Sequence, residues 1–401
     1  MNQARRNSGR LDKSHRLVPV ALNGFKTFLI PAIAILFSYI VIQSSGKEVF
    51  GEFVPFLLYF HLANIVSNWG SKDFLLRSFS KEPRSKIRSW QTLFVARSPV
   101  LLVVIAGSFA FFPVDHALYI SASIVLAYVS NSVQPMVNDQ RDYSAVILIE
   151  LLGFFVLLTL CLYFAPLDLA ELLIVFTIYQ AMRCLSYAIR FVRFFRFQSL
   201  VVEWKLLLVS FTFFLMAISG FLQGKVDLYI FESFATRIEL ADYQIISGFL
   251  MFSQGLATII LMPYVRNIYR MNNTALVKAK RLMVIIGIPI QLVSTAVIFL
   301  CLEWLFDFQA DWIQTMLFFL IGYPSFTYAV HVFSAFAQGK EKQVLVVSLI
   351  SAALNGVMSL ILLSLNLGIT GVLTAHALAQ LIALIGYRSI RLNEFVPQED
   401  Q

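Results

Sequence analysis

Long apolar runs alternate with short polar connections along most of this chain of 401 residues. Each run reaches or exceeds the roughly 20 residues with which an α-helix crosses the hydrocarbon core of a bilayer, and far exceeds the roughly 10 residues of a barrel strand. Helices satisfy their own backbone hydrogen bonds in lipid. The pattern therefore predicts an all-α polytopic membrane protein with twelve transmembrane helices, at residues 18–43, 49–70, 92–112, 114–137, 144–166, 169–190, 206–231, 243–265, 283–302, 313–337, 343–365 and 368–388.

The basic residues are concentrated in alternate connections. The chain has 31 Lys and Arg against 23 Asp and Glu, a formal net charge of +8, which alone would also suit a nucleic-acid-binding protein. With residue 1 in the cytoplasm, most basic residues fall in the tail 1–17 and in same-side connections such as 71–91 and 183–205. The positive-inside rule therefore predicts a multi-pass protein with both termini in the cytoplasm. We expect membrane lipids, and no nucleic acid, as partners.

The connections leave no room for a separate catalytic domain. The longest ones on the predicted outer side, 232–242 and 303–312, are short. The sequence contains no G-x-x-x-x-G-K-[ST] phosphate loop, and its three cysteines form no C-x-x-C pair. We therefore expect no enzyme activity, no catalytic residue, no metal and no cofactor.

The basic connection near residue 195 divides the runs into two sets of six. We predict a cytoplasmic basic tail at 1–17, an N-terminal six-helix bundle at 18–195, a C-terminal six-helix bundle at 196–390 and a cytoplasmic tail at 391–401. A faint repeat supports the division, since Val49–Phe53 and Glu239–Tyr243 both precede the second span of their half. Prolines interrupt several spans and predict bends, at Pro31, Pro55, Pro99, Pro135, Pro263, Pro289 and Pro324.

Several short motifs resemble one family of transporters. In the first half the stretch Gly46–Phe53 reads GKEVFGEF, and it is followed by Trp69-Gly70 and by Leu75-Leu76-Arg77. The second half contains Lys225–Ile230, then Ala241-Asp242-Tyr243, then Gly368–Val372. Together and in span order, these motifs resemble the polysaccharide-unit flippases (Wzx-type) of the multidrug/oligosaccharidyl-lipid/polysaccharide exporter superfamily. The chain departs from the family pattern at Ala241, where glycine is usual.

The resemblance implies two six-helix bundles around a central cavity, in the inner membrane of a bacterium. It implies that the protein moves undecaprenyl-pyrophosphate-linked oligosaccharide units from the cytoplasmic to the outer leaflet by alternating access, for O-antigen or exopolysaccharide synthesis. Other polysaccharide-assembly proteins would then be possible partners. Two alternatives stay open: a cation-coupled drug or metabolite exporter of the same superfamily, and a membrane glycan polymerase or transferase.

Two basic residues, Lys26 and Arg97, lie inside predicted spans of the first half. Cations in the membrane are costly and usually functional, so we predict that both bind the anionic head of the substrate in the cavity. Snorkelling to the inner headgroups is the alternative. Glu150, on span five, would pair with Arg97 or Lys26, or would serve as a coupling carboxylate.

Further polar residues in the spans complete the candidate site. Asp227, near the outer end of span seven, would pair with Lys225 or Arg237 at an outer gate. Stripes of polar side chains at helical spacing would either line the cavity or hold helices together. The candidates on these stripes are His61, Asn64, Asn131, Gln134, Gln223 and His331, with Asn68, Asn138, Tyr328 and Gln338 beside them.

Overall fold

The computed structural model describes the backbone of residues 2–196, 203–264, 268 and 273–391. Side chains are described within these ranges from residue 21 onward, except at 80, 81, 83, 263 and 273. The side chains of the predicted basic tail at 1–17, and residues 392–401 of the predicted C-terminal tail, lie outside the described residues.

The described part of the chain is about 90% helical and has no strand, which confirms the predicted all-α membrane fold. Two 3-10 turns, Pro83–Ser85 and Met262–Tyr264, accompany the α-helices. In chain order the helices are α1 (Asn2–Asn68), α2 (Ser71–Lys81), α3 (Lys86–Ala96), α4 (Ser98–Phe111), α5 (Val114–Ser132), α6 (Gln134–Gln140), α7 (Tyr143–Phe164), α8 (Leu169–Arg190), α9 (Trp204–Glu232), α10 (Arg237–Leu261), α11 (Asn273–Phe306), α12 (Trp312–Ala337), α13 (Glu341–Ser364) and α14 (Gly368–Ser389).

Helix α1 contains two spans. Within the described residues, eleven helical segments are long and apolar enough to cross a membrane, and the first has 59 residues. It is interrupted at Gly46, whose φ of 87° is not helical. Phe37 and Phe60 both contact the ring of Phe176, at centroid distances of 6.5 and 5.0 Å. A straight helix would hold residues 37 and 60 about 35 Å apart, so the chain folds back at Gly46 and the eleven segments contain twelve spans.

Two of the predicted proline bends are complete breaks. Arg97 ends α3 and precedes Ser98-Pro99 at the start of α4. Val133 lies between α5 and α6, just before Gln134-Pro135. Since proline removes one backbone donor and crowds the preceding turn, both spans are built from two helices rather than one.

The described chain forms two compact units. Unit 1 contains residues 1–45 and 55–218, and unit 2 contains 46–54 and 219–401. The boundary between these two units lies inside α9. The first half of α9 packs within unit 1, where Phe214 stacks on Trp69 at 4.2 Å and the Trp69 indole donates to the carbonyl of Leu207.

Candidate functional site: buried charge in each unit

Arg97 lies at the centre of the helix breaks of unit 1 and is fully buried. Its guanidinium donates to the carbonyl and side-chain oxygens of Asn68, at 3.0 and 3.3 Å, and to the hydroxyls of Ser71 and Ser132, at 3.0 and 2.9 Å. It also lies 5.0 Å from the ring of Tyr128. Among the residues the structure describes, no carboxylate lies within ion-pair distance of it.

Helix ends compensate this charge. Asn68 is the last residue of α1, and Ser132 is the last residue of α5. The C-terminal carbonyls of a helix carry a partial negative charge and lack partners inside the helix. Arg97 therefore binds the carbonyl at the C-terminus of α1, and the Ser132 hydroxyl at the end of α5 adds a further acceptor. Its predicted role in substrate binding stays a prediction.

Glu150 is buried and its carboxylate is fully engaged. Arg183 donates to Oε1 through Nε at 3.2 Å and a terminal nitrogen at 2.8 Å. The hydroxyls of Tyr179 and Tyr187 add hydrogen bonds at 3.3 and 3.1 Å. The ion-pair partner of Glu150 is therefore Arg183 on α8, beside Tyr179 and Tyr187; no ion pair of Glu150 with Arg97 or Lys26 is present among the described residues, although Lys26 lies within electrostatic range of it.

Lys26 is 9% exposed, and its ammonium lies over the ring of Tyr143 at 5.3 Å. It is within electrostatic range of Glu150 and of Lys72, the residue after Ser71. Arg183 pairs with that same carboxylate, and Arg97 contacts Ser71, the residue before Lys72. We call these four basic residues the cationic cluster of unit 1.

The polar stripes of unit 1 join helices. The Asn131 amide donates to the side-chain oxygen of Asn64 at 3.2 Å, which links α5 to α1. Gln134 forms a side-chain hydrogen bond with Tyr187, which links α6 to α8. His61, by contrast, is exposed.

Asp227 is the centre of a polar network in unit 2 and is fully buried. Its Oδ2 accepts a hydrogen bond from the Tyr243 hydroxyl at 2.6 Å and contacts Nδ1 of His376 at 2.7 Å. Lys225, also buried, donates instead to the Ser247 hydroxyl at 3.0 Å. Among the described residues Asp227 forms no ion pair with Lys225 or Arg237, although Lys225 lies within electrostatic range of it, because α10 and α14 present Tyr243 and His376 directly to the carboxylate.

The network continues beyond the imidazole. Nε2 of His376 faces the amide nitrogens of Gln254, at 3.1 Å, and Gln380, at 3.4 Å. The Tyr328 hydroxyl donates to the side-chain oxygen of Gln380 at 3.3 Å. An imidazole that donates from Nδ1 can accept at Nε2, so these contacts form a continuous chain through α9, α14, α10 and α12.

Gln223 and His331 occupy other places in unit 2. Gln223 accepts from the hydroxyls of Ser348 and Tyr387 at 3.1 and 3.4 Å, and so joins α9 to α13 and α14. His331 contacts the Lys280 ammonium and the backbone carbonyl of Ile390, both at 2.9 Å. Gln223 and His331 therefore belong to hydrogen-bond groups separate from that of Asp227.

The structure brings two of the resemblance motifs together within unit 2. Lys47 forms an ion pair with Asp242 at 2.7 Å. A Cβ placed on Gly51 would lie 1.9 Å from the carbonyl oxygen of Arg237, so only glycine allows this approach. The first motif is thus packed against the start of α10, where the second motif lies.

No metal centre is evident in the described part of the chain, where no three His, Cys, Asp or Glu residues converge.

Solved structures of transporters share this fold. The lipid II flippase MurJ, in an inward closed conformation, matches 90% of this chain and 86% of its own length, with a TM-score of 0.69 at 15% identity. A MATE-family multidrug resistance transporter of the MOP superfamily in an outward-facing conformation matches 92% of this chain and 94% of its own, with a TM-score of 0.59 at 15% identity. An inward-facing structure of a MATE-family transporter matches 91% and 96%, with a TM-score of 0.59 at 12% identity. The chain has the fold of the MOP-superfamily transporters. No family model and no curated protein sequence matches it.

Sequence reasoning missed several residues of both sites. Arg183 reads as a topology-determining charge because it is near the end of its span. Tyr179 and Tyr243 lie within apolar runs, where an aromatic residue gives no indication of a polar role. Asp227 and His376 were the available signals for the unit 2 network, since an ionisable residue within a span needs a polar partner.

Proposed function

We propose that this protein is a flippase for a lipid-linked oligosaccharide whose head carries phosphate, in the inner membrane of a bacterium. The observation that supports it is the cationic cluster of unit 1, in which Arg183 is the one of four basic residues that forms an ion pair among the described residues. An anionic head cannot enter hydrocarbon unaided. Fixed cations within the spans offset that cost, while the polyprenyl tail stays in lipid.

Within the cluster, Lys26 is the residue we assign to the head group. Arg183 is bound to Glu150, and Arg97 is enclosed by helix ends. The Lys26 ammonium has an aromatic ring beside it but no carboxylate within ion-pair distance among the described residues. Its neighbour Lys72 adds a second positive charge. A phosphate or pyrophosphate would relieve the repulsion between them.

The direction of transport follows from the proposed topology. Basic connections place both termini in the cytoplasm, and the cytoplasm is where such lipid-linked units would be loaded. We further propose that the undecaprenyl-pyrophosphate-linked units serve O-antigen or exopolysaccharide synthesis, and that alternating access moves them to the outer leaflet.

Lys26→Gln tests the proposal in proteoliposomes that contain a fluorescent lipid-pyrophosphate sugar. We expect flipping to fall at least tenfold, and Lys26→Arg to retain most of it. Arg88→Gln is the matched control, because it removes one positive charge from an exposed position of unit 1. Equal flipping by wild type and Lys26→Gln, at equal protein levels, would contradict the assignment.

One observation favours a second candidate, the cation-coupled drug or metabolite exporter. Asp227 is a buried carboxylate hydrogen-bonded to an imidazole, and such pairs can exchange protons. An exporter of this kind would expel cationic drugs and would be insensitive to Lys26→Gln. Drug efflux measured in the same proteoliposomes separates the two functions.

A further inference from the structure

Unit 2 has a separate cluster of basic side chains, at the end where α11 begins and where α12 and α14 end. Lys280 lies near the start of α11, His331 near the end of α12 and Arg388 near the end of α14. We propose that Lys280, His331 and Arg388 form a binding site for a phosphate group. The proposal does not depend on which substrate the protein transports.

The hydrogen bonds in this cluster orient Lys280. Its ammonium lies 2.9 Å from Nδ1 of His331, and Nε2 of the same ring lies 2.9 Å from the carbonyl oxygen of Ile390. A lysine ammonium can only donate. Nδ1 is therefore the acceptor, Nε2 carries the hydrogen that binds Ile390, and the ring is neutral. Among the described residues, His331 is the one hydrogen-bond partner of this ammonium, which has three hydrogens to donate.

The charges that surround Lys280 are positive. Arg388 is within electrostatic range of both Lys280 and His331. Lys340 donates to the carbonyl of Arg391 close by. Among the residues the structure describes, no carboxylate lies within ion-pair distance of Lys280 or Arg388. Converging cations without a counter-ion favour an anionic occupant.

A buried cluster of apolar side chains lies beside the basic residues of this site. Val344, Ala383, Tyr387 and Ile390 pack together in a buried cluster at this end of unit 2. His331 itself is only 9% exposed, whereas Arg388 is exposed and Lys280 is half-buried. A buried imidazole thus positions one cation, and an exposed guanidinium supplies the bidentate donor geometry that suits phosphate.

Two sources could supply this phosphate: the headgroup of an anionic phospholipid, or the phosphate of a soluble or transported compound. The proposed topology places the site on the cytoplasmic side, where anionic lipids attract basic segments. The same topology also places it where a phosphorylated substrate would approach. Both sources present the same group to Lys280 and Arg388.

Lipid binding by the purified full-length protein, followed by native mass spectrometry, tests the site. Phosphatidylglycerol is the probe, and phosphatidylcholine is the zwitterionic reference. We expect the variant that combines Lys280→Gln with Arg388→Gln to bind phosphatidylglycerol at least tenfold more weakly than wild type. The matched control combines Lys278→Gln with Arg281→Gln, two exposed positions on the same helix, and we expect it to stay within twofold of wild type.

Inorganic pyrophosphate distinguishes the two sources. If pyrophosphate displaces phosphatidylglycerol from wild type, but not the residual phosphatidylglycerol from the variant that combines Lys280→Gln with Arg388→Gln, the site accepts soluble phosphate. If it does not compete, the site is specific for a lipid headgroup, and both results support a phosphate site. Equal losses in the two double variants would overturn the proposal, as would equal binding of the two lipids. Should the first variant fold poorly, Arg388→Gln alone changes only an exposed side chain and is expected to weaken binding at least threefold.

Discussion

The two units handle buried charge in different ways. In unit 1, Arg183 is the one member of the cationic cluster with an ion-paired carboxylate among the described residues, and Arg97 instead binds the carbonyl of Asn68 at the end of α1. In unit 2, Asp227 and Asp242 each have a basic partner at 2.7 Å, namely His376 and Lys47. Unit 1 therefore has positive charge available for an anion. The middle of unit 2 is close to neutral, and adding a proton there would change its charge.

The largest loss of stability is expected at the Arg183–Glu150 ion pair of unit 1. Arg183→Met should destabilise the protein by about 3–5 kcal/mol, because it leaves a buried Glu150 without its cation. Adding Glu150→Gln to this variant should restore most of the loss. Unfolding of the purified protein in denaturant measures both. A double variant as unstable as the single one would show that Arg183 stabilises unit 1 by packing rather than by charge.

A smaller loss of stability is expected at Arg97, which is bound by uncharged acceptors and has no carboxylate partner among the described residues. Arg97→Lys keeps the charge but loses the planar fork that reaches Asn68, Ser71 and Ser132 together. We expect a cost of about 1.5–3 kcal/mol, since roughly one hydrogen bond to a charged group is lost on balance. Thermal unfolding measures it. If Arg97→Lys is as stable as wild type, a positive charge at this position is sufficient. The geometry of the hydrogen bonds to Asn68, Ser71 and Ser132 would then contribute little.

Loss of one hydroxyl tests how much a single hydrogen bond stabilises the buried carboxylate of Asp227 in unit 2. Tyr243→Phe removes one donor from Asp227 and leaves His376 in place, with an expected cost of about 1.5–3 kcal/mol. Ser359→Ala is a useful control, because that hydroxyl makes only a long bond of 3.5 Å to Asn355. Equal costs for the two variants would mean that Asp227 gains little from Tyr243.

The smallest effect is expected for the partly exposed ion pair of unit 2. Lys47 and Asp242 keep 21% and 12% of their side-chain surface exposed. Such pairs contribute about 0.2–1 kcal/mol, so Lys47→Ala should lower the free energy of unfolding by no more than that. A double-mutant cycle with Asp242→Asn isolates the pair. A coupling energy above about 2 kcal/mol would show that this pair stabilises the protein as strongly as a buried ion pair does.

Much of the fold could be predicted from the sequence. The apolar runs gave all twelve spans because run length and backbone hydrogen bonding in lipid allow few alternatives. The charges inside the runs, Lys26, Arg97, Glu150 and Asp227, were visible for the same reason.

Their partners could not be predicted, because helical spacing defines a face but not the neighbour opposite it. Arg183 is 33 residues from Glu150, and His376 is 149 residues from Asp227. The division inside α9 was also hidden, since it depends on the packing of Trp69 against Phe214.

The close contact between Gly51 and the carbonyl of Arg237 sets an order of assembly. Residues 46–54 complete their packing only when α10, with Asp242, is in place. At typical synthesis rates, the roughly 190 residues between them take about 10–40 s to make. During that time the turn at Gly46 has no final partner. The earliest hairpin of the chain therefore reaches its finished form only after the first half of the protein has been made.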